Sequence, residues 1–198
     1  QNPPSSYHLF SLSGSKNSAG TILDDKDNHL ILEPYTLVNT DISSSGDYVQ
    51  YGRLSYYQGN TLKQSTSYFP IFNGDFWNVF VKAEDIGEAG QTNTTASFGA
   101  YQANSLKNVA YYTAEATDIT QAKSTWGFLS GTNDRGAREA FFGGVPANES
   151  SDYDTVDGLM YSGSMQEVRY YFGEALSHDT LKKQALDPYI YAGNSISS

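Results

Sequence analysis

Apolar positions along this chain fall in short runs separated by clusters of Ser, Gly, Asn and Asp. Tyr7-His-Leu-Phe-Ser-Leu12 is followed by Ser-Gly-Ser-Lys-Asn, and Leu30-Ile-Leu32 and Tyr48-Val-Gln-Tyr51 come next, set apart by polar stretches. Leu54-Ser-Tyr-Tyr57 runs into a turn at Gln58-Gly-Asn60. Tyr68-Phe-Pro-Ile-Phe72 runs into Asn73-Gly74, the strongest short hairpin signal in the chain, and Phe76 to Ala83 reads as the returning strand. Further runs are Ala96 to Tyr101, Asn108 to Thr113, Thr125 to Leu129, Glu139 to Phe142, Leu159 to Tyr161 and Gly163 to Phe172. Roughly a dozen strands at this spacing predict an all-β domain: an antiparallel two-sheet β-sandwich, or jelly roll. The last run alternates, with Val168, Tyr170 and Phe172 expected on the core side and Glu167, Arg169 and Tyr171 on the other. Met165 is out of phase with that core set, so a β-bulge is expected after Gly163.

One stretch reads as a short C-terminal helix. Ser177 is placed to cap it and Asp179 falls in its first turn, where the helix dipole favours an anion. Leu176 and Leu181 have the spacing of a hydrophobic staple, and Asp187-Pro188 ends the helix because proline cannot continue it.

Composition agrees with this pattern. Aromatics make up 14% of the residues and charged residues only 17%, with 16 tyrosines and 18 glycines, a balance that suits pleated, half-buried surfaces. The 198 residues fit one domain, with a core over about 7–190 and a tail at 191–198. The start at Gln1 and the Gly-Asn-Ser-Ile-Ser-Ser ending are those expected of a piece of a longer protein. No cysteine is present, which excludes disulfides and thiolate metal sites. A formal net charge of −10 argues against a nucleic-acid partner and against anionic membranes. No apolar run reaches the ~20 residues of a membrane helix.

Three segments resemble the laminin-G-like branch of the concanavalin A-like lectin/glucanase superfamily. They are the Trp-containing strand Phe76-Trp77-Asn-Val-Phe-Val81, the Phe141-Phe-Gly-Gly144 strand end, and Gly163-x-Met-x-Glu-Val-Arg-Tyr followed by Ala-Leu-Ser and a helix. Together they cover roughly residues 65–190. The ending Asp187-Pro…Gly193-Asn194 is similar to lectin-like domains in structural proteins of large DNA viruses and phages. The resemblance implies a jelly roll of two antiparallel sheets, a fold that carries sugar binders, glycosidases and scaffolds alike.

The chemistry of the residues narrows that choice. Glycosidases need two carboxylates facing one scissile bond. The glucanases of the superfamily carry them as Glu-x-Asp-x-x-Glu on one strand, a motif this chain lacks. The nearest acidic run, Glu84-Asp-Ile-Gly-Glu88, begins with adjacent acids that a strand would point to opposite faces. Ser177-His178-Asp179 is explained by helix capping, and no Gly-x-Ser-x-Gly elbow is present. His8 and His29 are isolated in sequence. Asp152, Asp154 and Asp157 form an acidic loop with a following Gly158, a candidate calcium site whose spacing departs from the EF-hand rule; the alternative is a solvated loop. Asp24-Asp25-Lys26-Asp27 departs from it in the same way. Asn93-Thr-Thr and Asn148-Glu-Ser match the glycosylation sequon.

Three tyrosine doublets, at 56–57, 111–112 and 170–171, each send one ring inward and one outward. Tyr57, Tyr112 and Tyr171 are the candidate ligand-binding rings; the alternative is that these rings cover the sheet's outer face or pack on a neighbouring subunit. Trp77 and Trp126 are expected in the core. The sequence therefore predicts a non-enzymatic recognition or structural domain, extracellular or on a virion surface. Its expected partner is a glycan or a neighbouring structural subunit, with a glycoside hydrolase as the less favoured reading.

Overall fold

A computed structural model describes residues 6–12, 28–37, 49–85, 94–103, 109–119, 140–144, 159–161, 163–169, 171 and 175–190. In chain order these residues form β1 (Tyr7–Leu12), β2 (Asn28–Leu37), β3 (Val49–Gln58), β4 (Thr61–Ser65), β5 (Asn78–Asp85), β6 (Thr94–Ala103), β7 (Val109–Ile119), β8 (Ala140–Phe142), β9 (Leu159–Met160) and the helix α1 (His178–Leu186). The first sheet has the order β4-β3-β2-β1-β8, with β9 parallel to the start of β1 on the edge that β8 shares. The second sheet is the antiparallel meander β5-β6-β7. The order β8-β1-β2-β3 places a late, returning strand beside the first, as in a Greek key. The protein is thus an all-β sandwich with one short C-terminal helix. Among the described residues no helix is long and apolar enough to cross a membrane.

Strand alternation builds the core. On β2 and β3 the register sets Leu30 opposite Tyr56 and Leu32 opposite Leu54, all facing the second sheet. Phe98, Ala96 and Ala100 of β6 and Ala116 and Ile119 of β7 face them. The alanines leave room for the rings between the sheets: Tyr56 stacks on Phe98 with centroids 5.7 Å apart, and Phe69 stacks on Tyr112 at 4.8 Å. The buried Tyr56 hydroxyl donates to Asn28 Oδ1 at 2.9 Å, so this ring enters the core with its polar atom satisfied.

The helix makes a third layer. Phe80 and Tyr101 lie on the face of the second sheet turned away from the core, and Leu181 packs on them with Leu176, Val109 and Ala185. Ser177 Oγ accepts from Thr180 N at 3.2 Å, and Asp187 N closes the other end on Lys183 O at 2.9 Å. The helix, its cap and its stop stand where the sequence predicts them.

Two expectations are corrected. Asn73-Gly74 does not close a hairpin. Residues 66–71 continue along the edge of β3, where Gly52 and Phe69 exchange two backbone hydrogen bonds, and β5 then begins at Asn78 in the other sheet. Gly74, at φ 84°, serves a turn that carries the chain between sheets, and Asn73 Oδ1 holds the turn by accepting from Asp75 N. The predicted closing strand at Gly163–Phe172 is also absent: residues 163–169 and 171 lie outside any strand, and no bulge forms after Gly163. Val168, expected in the core, is 53% exposed. Alternation makes a strand only where the segment finds an edge to pair with, and residues 163–169 pair with no strand; β8 and β9 are the strands that flank β1 on that side. Arg169 instead donates to Ile190 O at 2.8 Å and to Pro188 O, tying this segment to the chain beyond the helix.

Candidate functional site

Among the described residues, the outer face of the first sheet carries a connected cluster of polar and aromatic side chains. Glu33 on β2 and Arg53 on β3 are direct cross-strand partners. Arg53 Nε donates to Glu33 Oε2 at 2.6 Å, and the Tyr57 hydroxyl donates to Glu33 Oε1 at 2.9 Å. Tyr57 shares a face with Arg53 by strand alternation, and its ring leans along the sheet to reach Glu33. The Arg53 guanidinium carbon lies 5.1 Å from the centroid of Tyr68, a cation–π distance. Tyr68 in turn lies 5.1 Å from Tyr35, which follows Glu33 on the same face of β2. Tyr35 and Tyr68 keep 45% and 44% of their surface exposed.

Electrostatics tighten this group. Burial, then the hydrogen bond to the Glu33 carboxylate, pushes the Tyr57 phenol up to about 12. Burial alone would weaken the charge on Arg53, but the hydrogen bond and charge of Glu33 outweigh it and raise its pKa. Tyr57 and Arg53 therefore hold their protons throughout the physiological range. The result is a fixed planar ion pair beside two half-exposed rings.

Farther along the same face the sheet is closed to solvent. His8, Ser11, His29, Ile31 and Ser55 are all buried there. Ser11 Oγ lies 3.0 Å from His29 Nδ1 and 3.4 Å from His8 Nδ1, and the two imidazole rings meet edge-on at 5.3 Å. A β-bulge between His8 and Phe10 creates this group. Strict alternation would send His8 and Ser11 to opposite faces, and the extra residue returns both to one. Burial, and then the neighbouring His8, lower the His29 pKa to about 3, so its ring is neutral. A serine hydroxyl beside a neutral imidazole is the arrangement of an activated nucleophile. Here burial denies it an approach to substrate, and the group serves as a polar lock between β1 and β2.

The sequence-predicted residues separate. Tyr57 belongs to the outer-face cluster. Tyr112 faces inward, packed on Phe69 and 6.1 Å from Trp77, which corrects its outward placement. Its neighbour Tyr111 is the outward ring of that doublet, with Lys182 Nζ 4.9 Å from its centroid. Tyr171 lies by the helix, where its hydroxyl accepts from Gln184 Nε2 at 2.8 Å. The three rings do not make one platform. Asp152, Asp154 and Asp157 lie outside the described residues, as do Asp24, Asp25 and Asp27, the two sequon asparagines and Trp126. Among the described residues no group of three or more His, Cys, Asp or Glu is placed to hold a metal.

Ser177 is the helix cap, and His178 turns toward Tyr101 and Phe80. Glu167 and Arg169 pair at 2.7 Å as same-side neighbours. The Arg169 hydrogen bond lowers the Glu167 pKa, which is the opposite of what a general acid needs.

Sequence reasoning passed over Glu33, Tyr35, Arg53 and Tyr68. A signal was present: Glu-x-Tyr in β2 and Arg-x-x-x-Tyr in β3 place polar and aromatic residues at even spacing, and so on one face. Comparison with protein-family models, curated proteins and solved structures finds no match.

Proposed function

We propose that this chain is a non-enzymatic recognition domain, displayed outside the cell or on a particle surface, that binds glycans through the outer face of its first sheet. One observation carries the reading: two half-exposed tyrosine rings stand beside a fixed, planar hydrogen-bonding pair, Arg53 and Glu33. Pyranose rings present an apolar face of C–H groups that stacks on an aromatic ring, and a rim of hydroxyls that bonds to planar polar groups. A preformed site of this kind binds with a reduced ordering cost.

The test is a glycan array followed by titration of the full chain, monitored through tyrosine ring resonances. Binding is expected to weaken by about tenfold or more in Tyr35→Ala and in Tyr68→Ala, with the folding midpoint held. Absence of binding at millimolar sugar, with and without calcium, would sink the proposal. So would binding indifferent to both substitutions.

A second reading rests on Phe76, which is 79% exposed at the turn between the sheets, with Phe72 four residues earlier also exposed. Uncovered aromatics of this size suit packing against neighbouring subunits of an assembly. A chain that is blind to sugars but assembles through Phe76 would favour that reading.

A further inference from the structure

Resting on the glycan reading of this face, we infer that its ligand is a neutral saccharide, recognised through a pair of adjacent hydroxyls, and that the face rejects uronates and sialylated glycans. The argument starts from which hydrogen-bonding positions are already taken. Arg53 Nε is held by Glu33, while the Nη1 and Nη2 groups have no hydrogen-bond partner among the described residues. They present free donors next to a carboxylate. Glu33 accepts one bond on each oxygen, from Arg53 and from Tyr57, and each carboxylate oxygen has a second lone pair. Donors and acceptors therefore stand side by side.

A hydroxyl both donates and accepts, so two vicinal hydroxyls can satisfy Arg53 and Glu33 together. A carboxylate can only accept. It would use Arg53 but would sit beside the Glu33 charge with no donor to offer it.

Charge gives the same answer at two scales. The Arg53–Glu33 pair sums to zero, so the pair itself supplies no surplus cation for an anionic sugar. The chain around it carries a formal net charge of −10, which repels polyanions at long range. The rings add no preference for an anion, since the tyrosines offer stacking faces and Tyr57 keeps its proton. A neutral sugar meets both requirements of the face, stacking on Tyr35 or Tyr68 and bridging the ion pair.

The experiment compares backbone-matched oligosaccharides on the full chain: neutral hexose oligomers, their uronate counterparts, and sialylated against unsialylated versions of one glycan. Each is titrated at about 20 mM and about 300 mM NaCl, which changes the screening of exposed charges several-fold. Neutral oligomers are expected to bind with a Kd that changes less than about twofold with salt, and acidic counterparts at least about tenfold more weakly.

Glu33→Gln supplies the decisive variant, because it removes the opposing charge and leaves the side-chain size. It is expected to gain salt-sensitive binding of the uronate oligomers while losing affinity for the neutral ones. Circular dichroism establishes that the variant is folded, and Arg53→Gln, which keeps donors without the cation, gives an independent arm. Arg53→Gln is expected to retain part of the neutral binding and to show no uronate binding. Tight, salt-sensitive binding of acidic glycans by the unaltered chain would overturn the inference and leave the glycan reading standing. Binding of neither class would overturn both.

Discussion

The Ser11 hydroxyl and the His29 imidazole meet at 3.0 Å on the buried outer side of the first sheet, and the ring is held neutral. Its Nε2 is buried without a hydrogen-bond partner among the described residues, so protonation would place a poorly compensated charge there. In the unfolded chain the same ring takes a proton near 6.5, and in the folded chain only near 3. Between those values the unfolded state binds more protons. Stability from this group is complete above about pH 6.5 and is lost as pH falls below it, by at most about 2 kcal/mol on reaching about pH 5. Urea unfolding at a series of pH values should show that decline, and His29→Gln should flatten it. Equal pH slopes in the two proteins would refute the assignment.

Tyr56 and Phe98 connect the sheets. Phe98→Ala removes the ring that stacks on Tyr56 and leaves a cavity lined by residues held in both sheets. The expected loss is about 3–5 kcal/mol, read from chemical denaturation. A loss below about 1 kcal/mol would mean that the sheets collapse onto the gap or that this contact is not part of the core.

Gly99 sits in β6 where a Cβ would lie 2.3 Å from the Tyr112 carbonyl oxygen on β7. The obstacle is backbone, which cannot swing aside as a side chain does. Gly99→Ala must therefore push β7 off β6, with an expected cost of roughly 1–3 kcal/mol or more. Amide exchange in β7 should rise first, ahead of exchange in the first sheet. Unchanged protection across β6 and β7 would contradict the close approach.

Glu33 holds the Tyr57 phenol and the Arg53 guanidinium in one group. Burial is the larger reason the Tyr57 pKa rises to about 12, and the Glu33 bond and charge supply the rest. Glu33→Gln should therefore bring the Tyr57 titration down toward 10 without restoring it fully. Ring-carbon chemical shifts of a selectively labelled tyrosine would follow it. A titration that stays near its original position would assign the whole shift to burial.

Local patterns carried the fold class. The apolar and aromatic runs at Leu30–Leu32, Leu54–Tyr57 and Ala96–Tyr101, with Gly59 in the turn after Gln58, mark strands in the sequence alone. Ser177, Asp179 and Pro188 marked the helix, because capping and proline act within a few residues. The partner of each strand was not legible. Alternation makes no strand over the described residues 163–169, since a strand needs a pairing partner and β8 and β9 are the ones that flank β1 there. Asn73-Gly74 gave its turn but not a hairpin, because the segment before it pairs along β3 and the strand after it pairs with β6 in the other sheet.

By itself, then, the sequence determined what is local: strand periods, turns, the helix and its ends, and the acidic charge balance. Tertiary structure alone decided which faces meet. A single bulge in β1 brings His8 and Ser11 to His29, although the two histidines look isolated in the chain. The register of β2 on β3 sets Glu33 against Arg53, and the return of residues 66–71 along β3 delivers Tyr68. Those residues are far apart in sequence, and each lies on an ordinary strand or edge. They become a site because side-chain direction is local while strand pairing is a property of the whole sheet.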